Sequence, residues 1–403
     1  MNGELRSISI PRISRAEYEQ RINRLRTYME QKKIAAVALF HPPDIFYFSG
    51  VGFCSIMLIP FQEEPVLLVQ INESRAQKES WLDDVRFSKG ISTFVETVTE
   101  FGLQKATLGL ELDVLPVNVF QRLQDALPLA GLVDFSPEIL AVRMVKSPAE
   151  IEIIRQVARI SEQGFLRGAE VLREGITELE VSEEIRRVEH SYGTEGSMVL
   201  RAWNQVLDFG MVSSGPNTYE ISGYWLIAIG SGLGLARPYG PSRRRIQKGE
   251  FVCVNKGINY DGYHVDEART FLIGKPTLEQ QRCYDAVRKI QENALTAVKP
   301  GIPVKKVYAV AKRTAEEEGY GKYFMTRAVY DVEYLGHGVG LEIDEPPLVG
   351  PRTNLLMQEG MVFAFEPKII IPGWGGVDIE DTLTVAAGGA EVLSRTDRKL
   401  WVV

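Results

Sequence analysis

Cysteine and histidine are scarce in this chain: three and four residues among 403. Cys54, Cys253 and Cys283 are few and irregularly spaced, which argues against a disulfide framework or a cysteine-based zinc site and points to a reducing compartment. No apolar run approaches the length needed to span a bilayer. The first residues, MNGELRSISIPRIS, lack the continuous apolar core of a signal peptide, so the expected location is the cytoplasm. Positive charge is not in excess either. The net charge of −7 gives no general attraction to nucleic acid or to an anionic membrane, and the densest basic run, Arg243-Arg244-Arg245, reads as a solvated face. What is present is ordinary globular material: 45% hydrophobic and 25% charged residues, in a length that suits two or three domains.

Within residues 15–32, Tyr18, Ile22, Leu25 and Met29 recur at spacings of 4, 3 and 4, one apolar face of a helix. The runs 34–40, 66–71 and 106–112 read as strands and 115–127 as a further helix, an alternation that predicts a small α/β domain over residues 1–145. At Ser147-Pro148-Ala149-Glu150 the chain is punctuated by an N-cap, a first-turn proline and a capping-box acid, which predicts a long helix to about Leu172. That helix is followed by Gly175 and another helix; the helix from about Thr277 is followed by Gly301 and another helix at about Val304. The two glycines lie 126 residues apart, which predicts a duplicated helix–helix–sheet unit within a second domain, residues 146–403.

Four segments carry the chemistry. Residues 250–273 read as two β-rich runs joined at Asp261-Gly262. Residues 336–347 form a glycine-rich loop around His337, residues 360–373 a strand with Glu366, and residues 376–385 a strand with Glu380 and Asp381. Acids on buried strands are costly unless paired or bound to a cation, and Asp266, Glu366 and Glu380 together suggest a shared cationic partner. Spacing leaves a metal site and ordinary Arg–carboxylate pairs as open alternatives.

The order and spelling of these segments resemble the creatinase, prolidase, aminopeptidase P and methionine aminopeptidase superfamily. The N-terminal phrase Asp44-Ile-Phe-Tyr-Phe-Ser-Gly50 and the stretch Arg143–Glu150 share in the resemblance, which covers nearly the whole chain. It implies an N-terminal creatinase-type α/β domain and a C-terminal α+β domain of the pita-bread fold with an internal pseudo-two-fold. Its metallopeptidases hold two metals with five ligands. Carried over, these are Asp266, His337, Glu366 and Glu380, while the fifth position, an aspartate in the family, is Asn255. The resemblance thus implies at most one divalent ion, of the Mn or Fe kind rather than Zn, or none.

Three more positions depart from the peptidase pattern. Tyr239 and Asp344 stand where the peptidases have histidines, and Asp378 where they have arginine. These losses place the chain nearer the creatinase-like, non-peptidase branches. The expected function is hydrolysis of a C–N bond in a small amide, amidine-like or zwitterionic substrate, with Asp344 or Glu366 activating water and Tyr239 as a phenol donor or base. His264, two residues before Asp266 on the same strand face, and Arg352, placed to bind a substrate carboxylate, are candidate substrate-binding residues; a packed core histidine and a surface arginine are the bland alternatives. A lyase of the dimethylsulfoniopropionate type, with Asp344 as base, and a catalytically silent binding protein are the competing functions. A homodimer is expected, with residues 44–50 and Cys54 walling the partner's pocket.

Overall fold

The structure, a computed structural model, describes residues 10–53, 55–196, 198–201, 210–220, 228, 230–325 and 333–403. The chain divides into two compact units: one takes residues 12–143 together with Arg201, the other the remaining described residues. Cys54 lies outside the described residues.

In the first unit, helix Arg15–Lys32 starts where Ser14 Oγ accepts the Glu17 amide, and it buries Tyr18, Ile22, Leu25 and Met29. Its strands are β1 (Ala36–Leu39), β2 (Ser55–Pro60), β3 (Val66–Val69), β4 (Val85–Phe87), β5 (Thr107–Leu110) and β6 (Gly131–Asp134), in the sheet order β4-β3-β2-β1-β5-β6. β2 runs antiparallel to β1 and β3, whereas β1–β5, β3–β4 and β5–β6 are parallel. The residues from Asp44 to Gly50 form most of helix Pro42–Ser49 and its glycine cap, at φ 79. Asp44 is fully buried, and its two oxygens accept from Arg143 Nη1 and Arg201 Nη1, each at 2.7 Å. Arg201 also grips Asp113 through Nε at 2.5 Å and Nη2 at 3.1 Å.

In the second unit, Ser147 and Glu150 complete a reciprocal capping box at helix Pro148–Val171. Thr177 with Glu180 and Thr277 with Gln280 do the same for helices Glu178–His190 and Leu278–Thr296. Gly175 (φ 84) and Gly301 (φ 80) take the left-handed turn inside each helix pair, the second of which ends with helix Lys305–Glu317. Sheet follows each pair: β7 (Met211–Ser214), β8 (Phe251–Tyr260) and β9 (Tyr263–Leu272) after the first; β10 (Gly336–Gly338), β11 (Glu345–Val349), β12 (Val362–Phe365), β13 (Lys368–Ile371), β14 (Gly375–Asp378), β15 (Asp381–Ala386) and β16 (Gly389–Val392) after the second. The duplicated helix–helix–sheet unit is therefore present. β17 (Trp401–Val402) joins the first set in the order β17-β9-β8-β7, and the second set is ordered β11-β10-β12-β15-β16 with β13-β14 as a separate hairpin. One apolar core, including Phe251, Val287, Ile290, Phe363, Phe365, Ile369 and Leu383, lies beneath these strands.

Two expectations need correction. Residues 360–373 and 376–385 are not single strands. Pro367 lacks an amide proton, and there the chain leaves β12, which pairs with β10 and β15, to enter β13, which pairs with β14. The second break falls at Ile379-Glu380, between β14 and β15. Glu366 and Glu380 thus sit at strand interruptions rather than mid-strand. Glu380 is instead tied to β9 by a two-way bridge with Ala268, at 3.3 and 3.0 Å. Likewise His337 is on a short central strand rather than in a loop.

Candidate functional site

His337 is positioned by β10, squeezed between β11 and β12. Its neighbour Gly336 permits that: a Cβ there would come within 1.9 Å of the Ala364 carbonyl oxygen. The ring Nδ1 lies 3.2 Å from the Gly338 carbonyl oxygen, and with the proton on Nδ1 the Nε2 lone pair is left for the site. Nε2 is 3.7 Å from Asp266 Oδ2 and 3.8 Å from Glu366 Oε1. Glu380 completes the group: ligand atoms of Asp266, His337 and Glu380 all lie within 4.8 Å of one another. Asp344, at the far side of the ring, places Oδ1 4.0 Å from Nδ1 and is the most open member, its side chain 32% exposed.

Asp266 reaches this point from β9, where Thr382 Oγ1 donates to its carbonyl and accepts its amide proton. Asn255, on β8, does not present its carbonyl to the group. Its Nδ2 lies 3.1 Å from Asp378 Oδ2 and 3.0 Å from Glu380 Oε2, and only the amide NH2 makes both contacts attractive. Lys368 is the residue that sequence reasoning missed. It faces Asp378 directly across the β13–β14 hairpin, is 4% exposed, donates to Glu366 Oε2, and lies 3.5 Å from Asp378 Oδ2. Its signal was a lone lysine in the apolar run around EPKIII, which demands a buried anion.

Five carboxylates, Asp266, Asp344, Glu366, Asp378 and Glu380, therefore share this space with one lysine and one histidine. Burial pushes Asp266 up to about 6 and Asp378 up to about 7. Glu380 is held well above the usual carboxylate range by burial, with the Asp266 and Glu366 charges adding to it, and burial also raises Asp344. Burial alone would lower His337, but Asp344, Glu366 and Asp266 outweigh it and raise the imidazole. Lys368 is raised in the same way, by Asp378 and Glu366 against burial. Asp266 Oδ1, Glu380 Oε1 and Asp378 Oδ1 are buried and accept no hydrogen bond from the described residues. Crowded, underprotected oxygens around an imidazole lone pair are what a divalent cation would satisfy, and the donor set fits one.

The other candidates fall elsewhere. His264 is fully buried; its Nδ1 is 3.1 Å from the Gly340 carbonyl oxygen, its Nε2 accepts the Val199 amide at 3.1 Å, and burial lowers it to about 4. Both ring nitrogens are engaged by main chain, which leaves neither for a substrate. Arg352 has a side chain 87% exposed and pairs with Glu333 at 2.6 Å. Tyr239 lines a cavity of about 150 Å³ with Ser182, Arg186, Leu233 and Pro241, none of them a member of the carboxylate group.

Comparison with known proteins gives the family. Residues 152–387 match the model of metallopeptidase family M24, and residues 21–145 match the creatinase/prolidase N-terminal domain. The chain belongs to metallopeptidase family M24. It is 29% identical to a Xaa-Pro dipeptidase of Pyrococcus furiosus over 95% of this chain and 99% of that protein. It is 30% identical to an uncharacterized peptidase of Staphylococcus epidermidis, over 94% and 99%. A solved Xaa-Pro dipeptidase from Bacillus anthracis superposes with a TM-score of 0.83 at 26% identity, covering 96% of this chain and 100% of that one. The two-domain pita-bread fold implied by the resemblance is therefore the fold of this chain. The family members named here carry peptidase names, and the placement nearer the creatinase-like branches finds no support among them. Among the described residues, no helix is long and apolar enough to cross a membrane.

Proposed function

We propose that this M24 member hydrolyses the C–N bond of a small zwitterionic amide, dipeptides of the Xaa-Pro kind being the first class to test, with at most one divalent ion of the Mn or Fe kind. The observation that carries this is the convergence of Asp266, His337, Glu366 and Glu380, with buried oxygens that accept no hydrogen bond. An ion held there supplies Lewis acidity toward the scissile carbonyl. The remaining work falls to the chain. Asp344, beside His337 and the most open carboxylate of the group, takes the proton from the attacking water; burial raises its affinity for that proton, which suits a general base near neutral pH. Glu366, with one oxygen held by Lys368 and the other turned to His337, fits a ligand role better than that of the base.

The peptidase names of the relatives support a dipeptide substrate, whereas Asp344 in place of a histidine beside His337 supports a different small amide. A panel of Xaa-Pro and other dipeptides, creatine-like amidines and N-acyl zwitterions, read by amine release after Mn loading, decides between them. Release of an alkene would replace hydrolase by lyase, and no turnover on any member would favour the silent binding protein. The chain is also proposed to act as a homodimer; a monomer by light scattering at micromolar concentration would contradict that.

A further inference from the structure

The site carries a cation of its own. Each of two carboxylates divides its oxygens between two sides. Glu366 gives Oε2 to Lys368 and turns Oε1 to His337; Glu380 gives Oε2 to Asn255 and leaves Oε1 without a hydrogen-bond donor among the described residues. On one side are the imidazole lone pair and the underprotected oxygens. On the other are an ammonium and an amide NH2, both positive ends, with Asp378 receiving from Asn255 at 3.1 Å and facing Lys368 at 3.5 Å. The β13–β14 register sets Lys368 opposite Asp378, and the ammonium is held there by Glu366 and Asp378.

We propose that the Lys368 ammonium is a resident cation that fills the side of the carboxylate group where a second divalent ion would otherwise be drawn, with Glu366 and Asp378 as its holding partners and Asn255 steadying Asp378. This rests on the reading of the site as one-metal hydrolytic machinery. Two positive charges a few ångströms apart in a buried site repel strongly, so ammonium and second ion exclude each other. Asn255 alone does not set the metal count: restoring a carboxylate at 255 while Lys368 stays in place strengthens the lysine's cage instead of opening a metal site.

The test is the number of Mn2+ ions bound per chain by the chelator-stripped full chain, from calorimetric titration and elemental analysis, without substrate. Asn255→Asp and Lys368→Arg are expected to keep the wild-type count, and Asn255→Asp/Lys368→Ala to gain one ion. A gain in Asn255→Asp alone, or no gain in a double variant that keeps the native circular dichroism, overturns the proposal. If the double variant does not fold, electron paramagnetic resonance of wild type at saturating Mn2+ decides: spectra of isolated ions support the resident cation, and a spin-coupled Mn pair overturns it. The count is read as a gain over wild type, so it tests the resident cation separately from the hydrolase reading. A wild type that turns over no substrate changes neither the expected gain nor the result that overturns it, whereas a wild type that binds no Mn2+ overturns the proposal, because no first ion is then held beside the ammonium.

Discussion

Two buried clusters of charge differ in a way that separates structure from function. Around Asp44 in the first unit, two carboxylates, Asp44 and its neighbour Glu111, meet two guanidinium groups; the arginines hold Asp44 far below the usual carboxylate range despite complete burial, while burial and the Asp44 charge raise Glu111. Around His337 in the second unit, five carboxylates meet one lysine and one imidazole, and Asp266, Asp344, Asp378 and Glu380 all move the other way. The contrast recurs between neighbours in the chain. Asp381 is lowered by Arg269 and Arg398, with Gln291 assisting, while Glu380 beside it is raised. A cluster neutralised by the protein's own cations is complete as it stands; one left negative asks for something the chain does not encode.

The sharpest test of the complete cluster is to break it. Arg143→Met leaves Asp44 buried with a single arginine, Arg201, and the unfolding free energy measured in urea should drop by about 3–5 kcal/mol. The incomplete cluster should respond in function first. Asp344→Asn should lower turnover by roughly 10²–10⁴ with the thermal midpoint and metal content unchanged, since a near-isosteric amide cannot accept the proton. Wild-type turnover in that variant would remove Asp344 as the base. Divalent ion at about a hundred times its dissociation constant should then add about 2.7 kcal/mol of stability. Glu380→Gln should lose most of that gain.

Acidity separates individual carboxylates by sign. In metal-free protein the raised Asp266 and Asp378 hold protons that the unfolded chain has released, so their contribution to stability falls as pH rises from about 4 to about 7. Asp44 and Asp381 are lowered, so their contribution is present above the usual carboxylate range and is lost as pH falls through it and below. Melting of the stripped protein should therefore peak at mildly acidic pH, and saturating metal should flatten the decline above it. The smallest effect expected is also the most telling: Glu380→Gln should raise the metal-free melting temperature slightly.

Much of this was legible beforehand. The capping box at Ser147 and Glu150, the apolar face of Tyr18, Ile22, Leu25 and Met29, and the repeat marked by Gly175 and Gly301 are local signals, and local signals survive folding. Asp266, His337 and Glu380 could be grouped because each lies in a segment with its own spelling. His264 shows the limit of period-two reasoning: parity assigns a strand face, but not which main-chain groups will meet the ring there. Lys368 was hidden for a related reason. Its partner Asp378 is ten residues away, across a hairpin whose register only the folded chain reveals. Pro367 did mark the first strand break, since a proline cannot donate to a ladder, whereas the break at Glu380 was invisible because only the partner strand changes there.

Arg201 has a consequence for anyone who would cut this chain into modules. The first 143 residues look self-sufficient in the gene, yet the guanidinium that completes Asp44 and clasps Asp113 is encoded 58 codons after the boundary. An expression fragment ending at residue 143 would leave those acids half matched, so the smallest faithful piece of the N-terminal unit is discontinuous. It has to be made with the later segment grafted on or supplied as a peptide.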